Sequence, residues 1–219
     1  MWTETVLGWW PVQALVWLER GSSLLSHESS SDTVLPVPWG LKRFHESGET
    51  HFITFTCYHR RPLLNSALKR RTFELALERI RRKYQLRVYG YVVMPEHVHV
   101  LLSEPERSNL AQAIKSLKQG VSRRLIGTGD RAFWQQRYYD HNVRSYVSFV
   151  GKLRYIHRNP VKRGLCKKPE DWEWSSFRHY QTGAEGNVEI ESQWTASRRE
   201  RAGIRLTVRQ LPRSSQRMA

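Results

Sequence analysis

Apolar residues recur along this chain at two intervals, and the switch between them marks out the elements. From Thr50 to Tyr58 the run THFITFTCY alternates β-branched and aromatic residues with polar ones, a period of two that predicts a strand. After Pro62 the interval lengthens. Between Leu64 and Tyr84, residues Phe73, Leu77, Ile80 and Tyr84 form a helical stripe, while Lys69, Arg70, Arg71, Arg79, Arg81, Arg82 and Lys83 leave much of the remaining surface basic. Two more strands are predicted over Leu86 to Val93 and His97 to Leu102, joined by the turn Met94-Pro95-Glu96. A second helix, Asn109 to Leu125, takes Ser108 as its N-cap and buries Leu110, Ile114, Leu117 and Val121; the break Gly127 to Asp130 ends it. A fourth strand spans Tyr138 to Arg144. A third helix follows from Ser145 to Asn159, with Tyr146, Phe149, Val150, Leu153 and Ile156 on one face and Pro160 as its stop. The order β-α-β-β-α-β-α matches an α+β fold: a ferredoxin-like antiparallel sheet (βαββαβ) with a C-terminal helix added.

The flanks read differently. Residues 1–39 hold Trp2, Trp9, Trp10, Trp17 and Trp39, a serine cluster, Pro36 and Pro38, with no sustained period, so a poorly ordered extension is expected there. The working domain is expected over 40–182. After Tyr180 the chain turns polar, and from Arg198 onward it carries seven arginines against one glutamate, so 183–219 is expected to be a basic tail without a core. The apolar run Val6 to Leu18 has the length of a signal-peptide core. It lacks a preceding basic segment, contains Pro11 and runs into Glu19 and Arg20, which argues against secretion. Cys57 and Cys166 form no CxxC pair and no disulfide framework, as suits a reducing cytoplasm.

Charge narrows the choice of partner. Among 219 residues, 36 Lys and Arg stand against 20 Asp and Glu, a net charge of +16. The resulting pI is near 10.4. This surplus exceeds what solubility asks for and points to a polyanion, nucleic acid before an anionic membrane surface.

His97-Val98-His99 is the sharpest chemical feature. Strand residues alternate faces, so His97 and His99 point the same way, and two neutral imidazoles at that spacing can grip a divalent cation if a third ligand approaches from elsewhere. In Tyr155-Ile156-His157-Arg158-Asn159-Pro160, Tyr155 and Asn159 stand at i and i+4 on one helix face. The Asn amide oxygen is a serviceable hard ligand for Mg²⁺ or Mn²⁺, and a Tyr one turn away can reach a phosphate. Taken singly, HxH is two polar strand residues and YxxxN a packed helix end. Together, on a strongly basic chain, they are the parts for metal-assisted attack on a DNA phosphodiester, with a phosphotyrosine conserving the bond energy for resealing. His157 lies roughly 200° round the helix from Tyr155 and is expected to face away. Glu96 is weighed as a metal helper or an exposed turn residue.

VVMPEHVHVLL (Val92 to Leu102) and YIHRNPVKRGL (Tyr155 to Leu165) resemble the IS200-like single-tyrosine transposases, and within them the REP-associated tyrosine branch. GLKRFHESGETHFITFTCYHRRPLL (Gly40 to Leu64) and DWEWSSFRHY (Asp171 to Tyr180) resemble the opening and closing segments of that family. The resemblance implies a ferredoxin-like fold with the HUH signature, His97 and His99 as metal ligands, Asn159 as the third and Tyr155 as nucleophile. It further implies single-stranded DNA, often a hairpin from an extragenic palindrome, as substrate, a 5′-phosphotyrosine intermediate, and a bacterial, nucleoid-associated setting. Both monomers and homodimers occur among such proteins.

For DNA binding the candidates are Lys115, Lys118, Arg123 and Arg124 on the second helix and Arg144 and Arg154 near the third. Trp134, Tyr138, Tyr139, Trp172 and Trp174 are candidate stacking surfaces for bases, at least half of them expected in the core instead. His59, His141 and His179 have no ligand spacing. The alternatives are a non-catalytic or domesticated palindrome-binding regulator on the same fold, and a hydrolase using water in place of Tyr155.

Overall fold

Strand alternation decides which layer each residue enters, and the computed structural model, which describes residues 50–126 and 132–203, follows that rule closely. Expectations for the first 49 residues, the Gly127–Asp130 break and the chain beyond 203 lie outside the described residues. Strands β1 (Thr50–Thr56), β2 (Val88–Val93), β3 (His97–Ser103) and β4 (Tyr139–Val143) form one sheet in the order β2-β3-β1-β4, every neighbouring pair antiparallel. Helix α1 (Ala67–Tyr84) connects β1 to β2, α2 (Leu110–Ile126) connects β3 to β4, and α3 (Tyr146–Lys162) follows β4. This is the ferredoxin-like arrangement with its added helix.

On one face, Ile53 and Phe55 of β1 and Val98, Val100 and Leu102 of β3 pack with Phe73, Leu77 and Ile80 of α1 and Ile114, Leu117 and Val121 of α2. On the other, Phe52, Val92 and Leu101 meet Ile156, Leu153 and Phe149 of α3. His97 and His99 share the parity of Leu101, so they open on the α3 side. Register sets Thr54 directly across from His99.

Helix ends follow local chemistry. Ser145 caps α3, its hydroxyl accepting from Ser148 N at 3.1 Å. Two expected boundaries are corrected. The cap of α2 is Asn109, whose Oδ1 accepts from Gln112 N at 2.9 Å, while Ser108 turns the chain with φ 69° one residue earlier. Nor does Pro160 stop α3. It lies inside the last turn, where its missing N–H forfeits only one bond, and the helix runs to Lys162. The stop is Gly164: at φ 67° its N–H donates to Val161 O, and Leu165 N donates to Pro160 O, each at 2.9 Å.

Beyond residue 182 the described chain keeps packing. Helices α4 (Phe177–Thr182) and α5 (Gln193–Arg201) bracket a segment in which Val188 and Ile190 are buried in the main core. The stretch from Trp174 to Glu191 seals edge strand β2: Val93 N donates to Trp174 O, Ser176 N to Tyr91 O, and Glu191 N to Val88 O. The polar composition after Tyr180 thus conceals two core residues, and the packed part reaches 203, past the expected boundary at 182. No helix among the described residues is long and apolar enough to cross a membrane.

Candidate active site

β3 holds the His97 and His99 rings 4.7 Å apart, with their Nε2 atoms 3.1 Å from one another. Both side chains are buried, at 6% and 5% exposure. Their other nitrogens are tied down: His97 Nδ1 lies 2.9 Å from Glu96 Oε1, and His99 Nδ1 lies 2.7 Å from Thr54 Oγ1. A carboxylate only accepts, so His97 Nδ1 carries the proton and its Nε2 offers a lone pair. Thr54 accepting from His99 Nδ1–H makes the second ring match, and both lone pairs then face one space. Burial above all, with the Arg163 and Lys152 charges adding to it, holds the His99 pKa well below the usual histidine value, so this imidazole is neutral. Glu96 is thereby more than an exposed turn residue: it braces His97, and that hydrogen bond chiefly keeps its own carboxyl below the ordinary range.

Helix α3 delivers the remaining groups. Asn159 is buried, with Nδ2 3.3 Å from His99 Nε2, while its Oδ1 is buried without a hydrogen-bond partner among the described residues. A buried amide oxygen left unpaired is costly unless something else occupies its lone pairs. Two imidazole nitrogens lie beside the Asn159 amide, whose Nδ2 is the end facing His99, and with that amide's oxygen turned toward them they form a donor set whose chemistry fits a divalent cation. Among the described residues no three His, Cys, Asp or Glu side chains gather at metal-binding spacing.

Tyr155 sits one turn before Asn159. Its ring centre is 5.1 Å from that of His99 and 5.9 Å from that of Phe52, and the residue is 41% exposed, so its hydroxyl is open to a substrate. His157 points the other way, buried, with Nε2 2.8 Å from Ser176 Oγ; burial pushes its pKa down to about 3. It anchors α3 to the closing segment and is no ligand.

Other groups at the site carry no spacing signal. Lys152, one turn before Tyr155, places Nζ 4.8 Å from the centre of the Phe52 ring, which itself stacks on His99 at 5.4 Å and 19°. Thr54 and Phe52 read from sequence only as strand residues; register makes them neighbours of His99. Behind the sheet, buried His51 hydrogen-bonds Asp140 at 2.8 Å and Glu104 at 3.3 Å, tying β1 to β4.

The predicted DNA-binding residues fall on two sides. Arg144 lies just before α3 and Arg154 within it. Lys115, Arg123 and Arg124 are exposed on α2, across the sheet from Tyr155. Lys118 is tied to the fold, its Nζ donating to Gln135 O at 2.7 Å and Gln136 O at 3.2 Å. Trp134 and Trp172 are core residues, and Trp174 carries Arg70 4.2 Å from its ring centre.

A ferredoxin-like sheet that sets paired histidines under a tyrosine-bearing helix defines a class, the DNA-cleaving transposases. Comparison with known proteins agrees: residues 45–159 match the family described as "Transposase IS200 like". The chain belongs to that family, and its function is DNA transposition. Among its relatives is the REP-associated tyrosine transposase of Escherichia coli (strain K12), 27% identical over 137 residues, 62% of this chain and 81% of that protein. A Haemophilus influenzae protein bearing a provisional form of the same name is 30% identical over 117 residues, 48% of this chain and 66% of that one. A solved structure of a REP-associated tyrosine transposase bound to a REP hairpin shares the fold, with a TM-score of 0.57 and 24% identity over 69% of this chain and 90% of that chain.

Proposed function

We propose that this transposase nicks single-stranded DNA and transfers the strand through Tyr155, within a domain that starts near residue 40 and runs past 182 to about 203, and that His97, His99 and Asn159 hold the divalent cation, Mg²⁺ or Mn²⁺. The observation that carries this reading is the convergence of an exposed phenol on a buried imidazole pair whose Nε2 atoms lie 3.1 Å apart, beside an amide oxygen with no other partner. When bound, the cation supplies charge neutralisation at the scissile phosphate.

The chain's own groups do the rest. Tyr155 Oη bonds to phosphorus as the bond to the 3′-oxygen breaks, leaving a 5′-phosphotyrosine and a free 3′-hydroxyl. Attack by another 3′-hydroxyl reverses the step. Glu96 and Thr54 hold the imidazoles in orientation, and His157 locks the helix that carries the phenol. The Tyr155 ring centre lies 5.1 Å from that of His99 on the same chain, which supports cleavage by a chain's own tyrosine. Hairpin DNA is the proposed substrate, because a relative sharing the fold is solved with a REP hairpin. Arg144 and Arg154 are the proposed phosphate contacts beside the nucleophile, and Lys115, Arg123 and Arg124 form a second basic surface behind the sheet. Lys118 contributes charge from its tether.

The test is to incubate the protein with labelled single-stranded DNA from the flanks of its own gene, with Mg²⁺ or with chelator, and to resolve products on a denaturing gel. A covalent band that needs the metal and vanishes in Tyr155→Phe is expected. A band that persists in Tyr155→Phe, or forms equally in chelator, would overturn the assignment. Binding with no band in the wild-type chain would favour a domesticated regulator, and cleavage without a band would favour hydrolysis by water.

A further inference from the structure

The nucleophile's helix carries a cation that the reading above leaves without a task. Lys152 lies three residues before Tyr155, so the two side chains leave α3 from adjacent positions on its surface. Its Nζ is 4.8 Å from the centre of Phe52. Phe52 is the hub of the site, stacked on His99 at 5.4 Å and meeting Tyr155 edge-on at 5.9 Å. Among the described residues Lys152 has no hydrogen-bond or carboxylate partner. Partial burial lowers its pKa, and its charge reaches far enough to depress His99 and His141. A chain already at +16 gains nothing in stability by drawing another ammonium out of solvent toward a cation site. An aromatic face holds such a group in place but does not neutralise it. The anion it lacks is the one the reaction brings.

We propose that Lys152 is the cation that binds a non-bridging oxygen of the scissile phosphodiester and seats the phosphorus against Tyr155; this assignment rests on Tyr155 being the nucleophile. As Oη bonds to phosphorus and the bond to the 3′-oxygen breaks, its electron pair leaves on that oxygen. The phenol surrenders one proton to solvent and the departing oxygen takes one up, so Lys152 gains and loses none. A cation that stays an ammonium throughout serves cleavage and rejoining alike, which a group spent as an acid in one direction would not. Its field also opposes that of the bound metal. Removing the charge is therefore expected to leave metal affinity unchanged or slightly stronger, in contrast to loss of a metal ligand.

The experiment compares the full-length wild-type chain with Lys152→Met and Lys152→Arg on two single-stranded oligonucleotides from the flanks of its own gene. One carries a normal scissile phosphodiester and the other an uncharged methylphosphonate at that linkage. On the phosphodiester, single-turnover adduct formation is expected to fall about 10²-fold in Lys152→Met, the scale for losing one preorganised charge contact, and to recover largely in Lys152→Arg. On the methylphosphonate, wild type and Lys152→Met are expected to react at the same rate. Without metal, in a Tyr155→Phe background, Lys152→Met is expected to erase the preference for the charged linkage in equilibrium binding. Should Lys152→Met fail to fold, Lys152→Gln carries the same comparison. Wild-type adduct rates in the neutral variant, or an equal defect on both linkages, would overturn the role of Lys152 and leave Tyr155 untouched. Adduct formation by Tyr155→Phe would instead sink the nucleophile assignment itself.

Discussion

Replacing Thr54 with valine keeps the β-branched shape of the side chain and deletes only the hydroxyl that faces His99 Nδ1 at 2.7 Å. His99 is 5% exposed, so water cannot take the hydroxyl's place. Two consequences follow, each with a magnitude. The stranded ring nitrogen costs about 1–3 kcal/mol of stability, and a domain of this size loses roughly 2–4 °C of melting temperature per kcal/mol. The imidazole also loses the partner that fixes its orientation, for which about 10- to 100-fold in metal affinity is the usual penalty. The assay is a Mn²⁺ titration, by calorimetry and by the metal concentration giving half-maximal adduct. Thr54→Ser, which keeps the oxygen, serves as control. The half-saturation point is expected to rise at least tenfold in Thr54→Val and to stay near wild type in Thr54→Ser. A melting temperature that drops while half-saturation stays put would reduce Thr54 to a packing residue and refute its role behind His99.

Asn159→Leu is expected to abolish the adduct while leaving thermal stability equal or higher, because the substitution removes a buried oxygen that has no partner; a marked loss of stability would show that the amide is structural. His51 gives a pH dependence. Burial opposes its charge, but the hydrogen bonds and charges of Asp140 and then Glu104 outweigh that and raise its pKa above 6.5. A raised folded pKa stabilises fully below the unfolded value and is lost as pH rises through the folded one. The melting temperature should therefore fall as pH rises above about 6.5, and His51→Gln should flatten that slope. Gly90→Ala places a methyl 2.5 Å from Leu153 Cδ1, where α3 rests on β2, and is expected to cost about 1–3 kcal/mol and lower adduct yield. Adding Leu153→Ala should restore much of the yield; a clash-free Gly90→Ala with normal activity would show that α3 is not seated there.

How much the chain discloses unaided depends on the range of the interaction. Period and punctuation are local, so the four strands, the three principal helices and the shared face of His97 and His99 were legible residue by residue. Tyr155 and Asn159 stand one helical turn apart for the same reason. Boundaries proved less secure: Asn109, not Ser108, caps α2, and Gly164, not Pro160, ends α3, because caps depend on which side chain and which φ meet the helix end. Val188 and Ile190 escaped notice since two apolar residues in a polar stretch have no period, and only the sheet edge beside them makes them core.

The tertiary structure alone decided which groups meet. Nothing in the order of residues says that Thr54 will stand across from His99, that His51 will bind Asp140, or that Lys152 will lie over Phe52 beside the phenol. Nor does it say that the basic residues of α2 end up behind the sheet from Tyr155. Each of these depends on strand register or on the seating of a helix, and both are settled by packing between segments far apart in the chain. The sequence by itself determined the elements and the chemical types they carry; their convergence on one point came from the burial of two apolar faces of a single sheet.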